Sequence, residues 1–80
     1  MNRFSIESTT LVSVCYLPDR ALLELEFRDG TVYRFFDVPA SCFQQLLTSD
    51  SKGRYFNNNI RNRFRNQRVS TDEYCLDKEN

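Results

Sequence analysis

Hydrophobic and polar residues alternate with period two through the first half of the chain and change to a helical spacing in the second. In TLVSVCYL, residues 10–17, Val12, Val14 and Tyr16 share one side, the mark of a half-buried strand. Pro18-Asp19-Arg20 interrupts that strand as a turn. ALLELEFR, residues 21–28, alternates again, with Leu23, Leu25 and Phe27 against Leu22, Glu24, Glu26 and Arg28. Asp29-Gly30 turns the chain, and TVYRFF makes a third strand.

Parity selects the register between the second and third strands. A two-residue Asp29-Gly30 loop would set Arg34 on the apolar face. A three-residue loop, Arg28-Asp29-Gly30, with Gly30 in the left-handed region, instead sets Leu25 opposite Tyr33, Leu23 opposite Phe35 and Glu24 opposite Arg34. The second register buries more and pairs charges, so it is the one expected. The product is a three-stranded antiparallel meander with one aromatic face.

Such a face needs a cover. In DVPASCFQQLLTSD, Pro39 suits a first helical turn, Phe43, Leu46 and Leu47 stand at i, i+3, i+4, and Thr48-Ser49-Asp50 ends the helix. Ser51 is the expected N-cap of a second helix, with Phe56, Ile60 and Phe64 at i, i+4, i+8 and Gly53 allowing a close neighbour. At roughly 100° per residue, Arg54, Arg61 and Arg65 fall within about 40° of one another, and Arg68 joins them if the helix persists. The asparagines at 57, 58, 59, 62 and 66 each disfavour helix by about 0.6 kcal/mol relative to Ala, so the helix is also open to ending near Arg61 in an irregular basic arm. The fold class read from this order is α+β: a three-stranded meander packed by two C-terminal helices, with Val69 placed to add a short extra strand. Residues 1–69 are expected to form one domain and residues 70–80 an acidic C-terminal tail.

Composition narrows the function. Eighty residues, 40% hydrophobic with seven Phe and four Tyr, suffice for one aromatic core and no transmembrane or signal segment, so a cytoplasmic protein is the expectation. With no His, and three cysteines in no C-x-x-C pair, neither a zinc site nor any other cofactor is expected, and an enzyme is disfavoured. Cys15 and Cys42 read as core residues and Cys75 as a tail residue. The net charge of zero conceals segregation: residues 1–50 carry four Arg against seven acids, residues 51–68 carry six Lys or Arg and no acid, and residues 69–80 carry Lys78 against four acids.

Two clusters are candidates for phosphate. One is the helix start Ser51-Lys52-Gly53-Arg54 with Asn57 one turn on, where unpaired N–H groups, the helix dipole and two cations favour an anion; its plain alternative is an N-cap, a packing glycine and two solvated cations. The other is the arginine stripe with aromatics between, Arg54, Tyr55, Arg61, Arg63, Phe64, Arg65 and Arg68, where Phe64 sits at core spacing and Tyr33 and Tyr55 are left to stack bases, against a plain solvated helix face. Glu24, Glu26 and Arg34 read as an ordinary wet sheet face, on which Phe36 and Val32 are candidates for a homodimer or higher-oligomer contact.

Three landmarks in order resemble the KTSC domain: S-x-x-L-x-x-V-x-Y at 8–16, L-x-L-x-F-x-D-G-x-V-Y-R-F-F-x-V-P at 23–39, and S-K-G-R-Y-F-N-x-x-I-R at 51–61. The likeness spans about residues 6–64. It implies the strand-strand-strand-helix order read above, and the family's occurrence at the C-terminus of some bacterial lysyl-tRNA synthetases, as well as in stand-alone bacterial and phage proteins, implies RNA association. The Asn-rich continuation after Ile60 and the acidic tail depart from the family pattern. The leading expectation is a non-catalytic module binding RNA or another polyanion. Its alternatives are a protein that sequesters a small nucleotide or phosphate ligand, and a protein-interaction adaptor.

Overall fold

The computed structural model describes residues 2–5 and 10–75, with side chains over 10–75. Five antiparallel strands lie side by side in chain order: β1 (Asn2–Ser5), β2 (Leu11–Leu17), β3 (Leu22–Phe27), β4 (Val32–Phe35) and β5 (Asn66–Val69). Two helices, α1 (Ala40–Thr48) and α2 (Lys52–Asn59), stand between β4 and β5, and a 3-10 turn, Thr71–Glu73, comes after β5. The expected meander is therefore the middle of a wider sheet. Its register is the one parity selects, with Leu23 opposite Phe35, Glu24 opposite Arg34 and Leu25 opposite Tyr33. The hairpin closes over three residues, Gly30 takes φ +91°, and its N–H donates to Phe27 O at 2.9 Å.

The helices cover the face bearing Val14, Tyr16, Leu23, Leu25 and Phe35, and against it pack Cys42, Phe43 and Leu46 of α1 and Phe56 and Ile60 at the end of α2. Tyr16 stacks on Phe43 with ring centroids 4.7 Å apart and donates its hydroxyl to Val38 O at 2.6 Å, which anchors the chain leading into α1. Pro39 caps α1, and Ser51 caps α2 by accepting the Arg54 N–H at 3.3 Å. A Cβ on Gly53 would lie 2.7 Å from Thr10 Oγ1, so glycine is what lets α2 approach the start of β2. α2 stops at Asn59: the Ile60 and Arg61 N–H groups both turn back onto Phe56 O, and three successive asparagines leave little propensity to continue.

The opposite face corrects the wet-sheet expectation. Residues 70–75 fold across it, and Cys15, Leu17, Val32, Val69, Tyr74 and Cys75 form a second small core, with Leu22 packed beside it. Glu24 is only 1% exposed; Arg34 Nε reaches its Oε2 at 2.7 Å and the Cys75 N–H donates to its Oε1 at 2.7 Å. A buried carboxylate stripped of partners would destabilise the fold by several kcal/mol, on the order of 3–5, and the strap supplies a donor that the strands alone do not. Ser13 Oγ donates to Glu26 Oε1 and lies 2.7 Å from the Tyr74 hydroxyl. Cys75, read from sequence as a tail residue, is buried and disulfide-bonded to Cys15, with Cα atoms 5.9 Å apart. Val32 lies inside this core, out of reach as a subunit contact, and Phe36 is half-buried beneath Arg65. The end of the acidic tail, residues 76–80, lies outside the described residues.

Candidate nucleic-acid interface

The helices do not cover the whole front face. α2 ends two turns after it begins, the chain crosses back as a turn, and β5 then pairs with β4 so that Arg68 faces Tyr33 in register. This leaves a groove of ≈ 760 Å³ over the outer strands. Its floor is aromatic. Phe27 and Tyr33 meet edge to face at 6.0 Å, and Phe27 and Phe35 each meet Phe56 in the same manner at 5.3 and 5.6 Å. Phe35 and Phe56 are buried, whereas Phe27 and Tyr33 are half-buried and so offer ring surface to the groove.

The rim is polar and basic. Asn57, Arg61 and Asn62 line it on the helix side, Asn66 and Arg68 on the β5 side, and Asp29 with Thr31 close one end. Arg61 Nη1 donates to Asn57 Oδ1 at 3.3 Å, which orients both side chains. Asp29 accepts from the Thr31 hydroxyl at 2.7 Å and from the Thr31 N–H at 3.0 Å. Those two bonds, with the Arg68 charge as a smaller cause, hold its carboxyl below the usual range. None of Arg54, Arg61, Arg63, Arg65 and Arg68 is in ion-pair contact with a carboxylate among the described residues.

The residues singled out by sequence fall into four places. Asn57, Arg61 and Tyr33 come together at the groove. Ser51, Lys52, Gly53 and Arg54 lie at the far end of α2, where Ser51 Oγ is engaged as the cap, Lys52 Nζ donates to Ser49 O at 3.1 Å and the Gly53 side is filled by Thr10. Arg63 and Arg65 lie over rings, at 6.0 Å from the Phe64 centroid and 4.7 Å from that of Phe36. A single helical stripe of arginines does not form, because the helix ends before Arg61. Tyr55, half-buried like Tyr33, lies away from the groove lining, its hydroxyl donating to Gln45 Oε1 of α1 at 2.8 Å.

Sequence reasoning left Phe27 out of the site, although its parity put it on the aromatic face with Leu23 and Leu25. Arg68 was expected only as an extension of the helical stripe, and it reaches the groove instead from β5, where it pairs with Tyr33. Among the described residues no group of three or more His, Cys, Asp or Glu is arranged to hold a metal, and no helix is long and apolar enough to cross a membrane.

The KTSC domain model matches residues 7–64. An uncharacterised protein of Stutzerimonas stutzeri is 44% identical over 57 residues, covering 71% of this chain and 80% of its own. A lysine–tRNA ligase of Nostoc sp. is 33% identical over 64 residues, which cover 80% of this chain but 11% of the ligase. The crystal structure of a KTSC domain protein from Yersinia pestis superposes with a TM-score of 0.84 at 30% identity, covering 86% of this chain and 97% of that one.

Proposed function

The chain belongs to the KTSC domain family, and on that premise we propose that it is a non-catalytic binding module for a single-stranded nucleic acid, RNA foremost, taken at the aromatic groove. The observation that carries this reading is the meeting of half-buried rings and guanidinium groups that form no salt bridge at one place: Phe27 and Tyr33 on the floor, Arg61 and Arg68 on the rim. Guanidinium groups that neutralise phosphates release counterions, and exposed ring faces stack unpaired bases for about 1–3 kcal/mol each. A duplex keeps its bases stacked on one another and away from such a floor. The likeness to a segment of enzymes named lysine–tRNA ligases supports RNA as the polyanion.

Two observations support a binding role over catalysis. The chain has no His. Asp29, the carboxylate on the groove lining, is held ionised and is therefore a weak base.

Fluorescence anisotropy with a labelled 12-nucleotide strand tests the proposal. Neutralising two phosphates, one at each rim arginine, makes affinity for a single strand fall roughly 7-fold between 50 and 200 mM salt. Arg61→Glu with Arg68→Glu should abolish binding, and Tyr33→Leu should weaken it at either salt. No binding at 50 mM salt sinks the reading. Binding of a mononucleotide as tight as that of the strand would assign the groove to a small nucleotide instead, and a partner insensitive to salt and to the arginine changes would mark an adaptor.

A further inference from the structure

We infer that residues 70–75 are a redox-latched strap on the back of the sheet, and that reducing the Cys15–Cys75 disulfide loosens β5 and weakens binding at the groove. The inference rests on the binding reading for its last step and on the back face for the rest.

β5 is the outermost strand of the described sheet, paired with β4 alone. Three of its four residues, Asn66, Gln67 and Arg68, are exposed; only Val69 is buried, and its cluster is built from Cys15, Leu17, Val32, Tyr74 and Cys75. A four-residue edge strand of that composition frays unless something holds its end. The strap continues directly from that end. Cys75 is joined to Cys15 on β2, its N–H is bound to Glu24 on β3, and Tyr74 reaches Ser13 on β2. Without the covalent tie, the six-residue segment 70–75 is held by one buried aromatic ring and a few hydrogen bonds against its conformational entropy. Arg68 and Asn66, which line the groove on the β5 side, lie within four residues of the strap's start. The back of the sheet is thereby coupled to the front through one short strand.

The chemistry is thiol–disulfide exchange with a dithiol as reductant. Cys15 is fully buried and Cys75 is 6% exposed, so the thiolate of the dithiol attacks Cys75 Sγ as the strap breathes, and Cys15 leaves as a thiolate. The second thiol of the reductant then displaces Cys75, closing a cyclic disulfide. Two electrons and two protons pass to the protein, which gains two thiols beside the free Cys42. In a reducing compartment the balance between latched and open forms depends on the local thiol poise.

Hydrogen exchange and anisotropy on the same oxidised and dithiothreitol-reduced protein decide the matter. Reduction should speed exchange of the amides in residues 66–75 at least tenfold, leave β3 unchanged, and weaken strand binding about tenfold. Cys75→Ser should match the reduced protein, and Cys42→Ala, which retains the pair, should match the wild type. Three free thiols after treatment with oxidised glutathione, or unchanged exchange over 66–75 on reduction, would overturn the strap. Faster exchange with unchanged binding would overturn the coupling to the groove. Absence of binding in both forms would overturn the functional reading, and the exchange result alone then stands for or against the strap.

Discussion

At Tyr55 the hydroxyl reaches from α2 to α1, and partial burial, reinforced by the Cys42 thiol 3.6 Å away, pushes its pKa up to about 12. Burial raises Tyr16 in the same direction. Both rings are therefore favoured neutral in the folded chain. A raised acid contributes stability that is complete below its unfolded value, near 10 for tyrosine, and is lost as pH climbs through the folded value. The protein should accordingly lose stability between about pH 10 and 12, with Tyr55 ionising late, and Tyr55→Phe should flatten that loss. Tyrosine absorbance and near-ultraviolet dichroism recorded across this range check it; ionisation of every tyrosine near 10 with dichroism intact would contradict it. Tyr33, by contrast, keeps ring surface in the groove. Sequence offered the two tyrosines as equals; both are half-buried, and their places separate them, since Tyr33 lines the groove and Tyr55 is bonded to Gln45 of α1.

Elements that depend on near neighbours were legible. The three-residue loop, the parity of β3 and β4, Pro39 at the start of α1 and Ser51 capping α2 each arise from local chemistry, and each is present. In β2 the parity expected from sequence fails at one end, because a bulge between Leu11 and Ser13 puts Leu11 rather than Val12 in the core with Val14 and Tyr16. The close approach at Gly53 is another such reading, with Thr10 as the neighbour. Gly53→Ala would gain about 1 kcal/mol of helix propensity and lose about 1–3 kcal/mol to overpacking. We expect a net loss near 1 kcal/mol, or roughly 4–8 °C in Tm, part of which Thr10→Ala restores. A melting point raised by Gly53→Ala alone would contradict the contact. The features that sequence did not disclose are non-local. Cys15 and Cys75 are 60 residues apart, and nothing in either local pattern announces the pair. Closing so long a loop restricts the unfolded chain by about 4 kcal/mol in the chain-entropy picture, which helps an 80-residue protein with two small cores. The same strap turned the alternating charges of β3 and β4 from a wet face into a buried network.

Across the whole molecule the two faces divide the work. The back is closed by a covalent strap over Glu24 and Arg34, and the front is only partly covered, because α2 is too short to reach beyond Ile60. That shortfall creates the groove, and the uninterrupted cations of residues 51–68 supply its positive rim. Charge segregation in the sequence thus picked out the segment that lines one side of the groove but gave it the wrong shape, a helical stripe where the chain builds a turn and a strand. The measurement that reaches the central claim most directly is photo-crosslinking of a 4-thiouridine-labelled strand with mass spectrometry of the adducts. Crosslinks at Tyr33 or Phe27 and within residues 57–68, lost when Arg61 and Arg68 are both changed to Glu, are the predicted result; adducts confined to the strap face, or none at low salt, would contradict it.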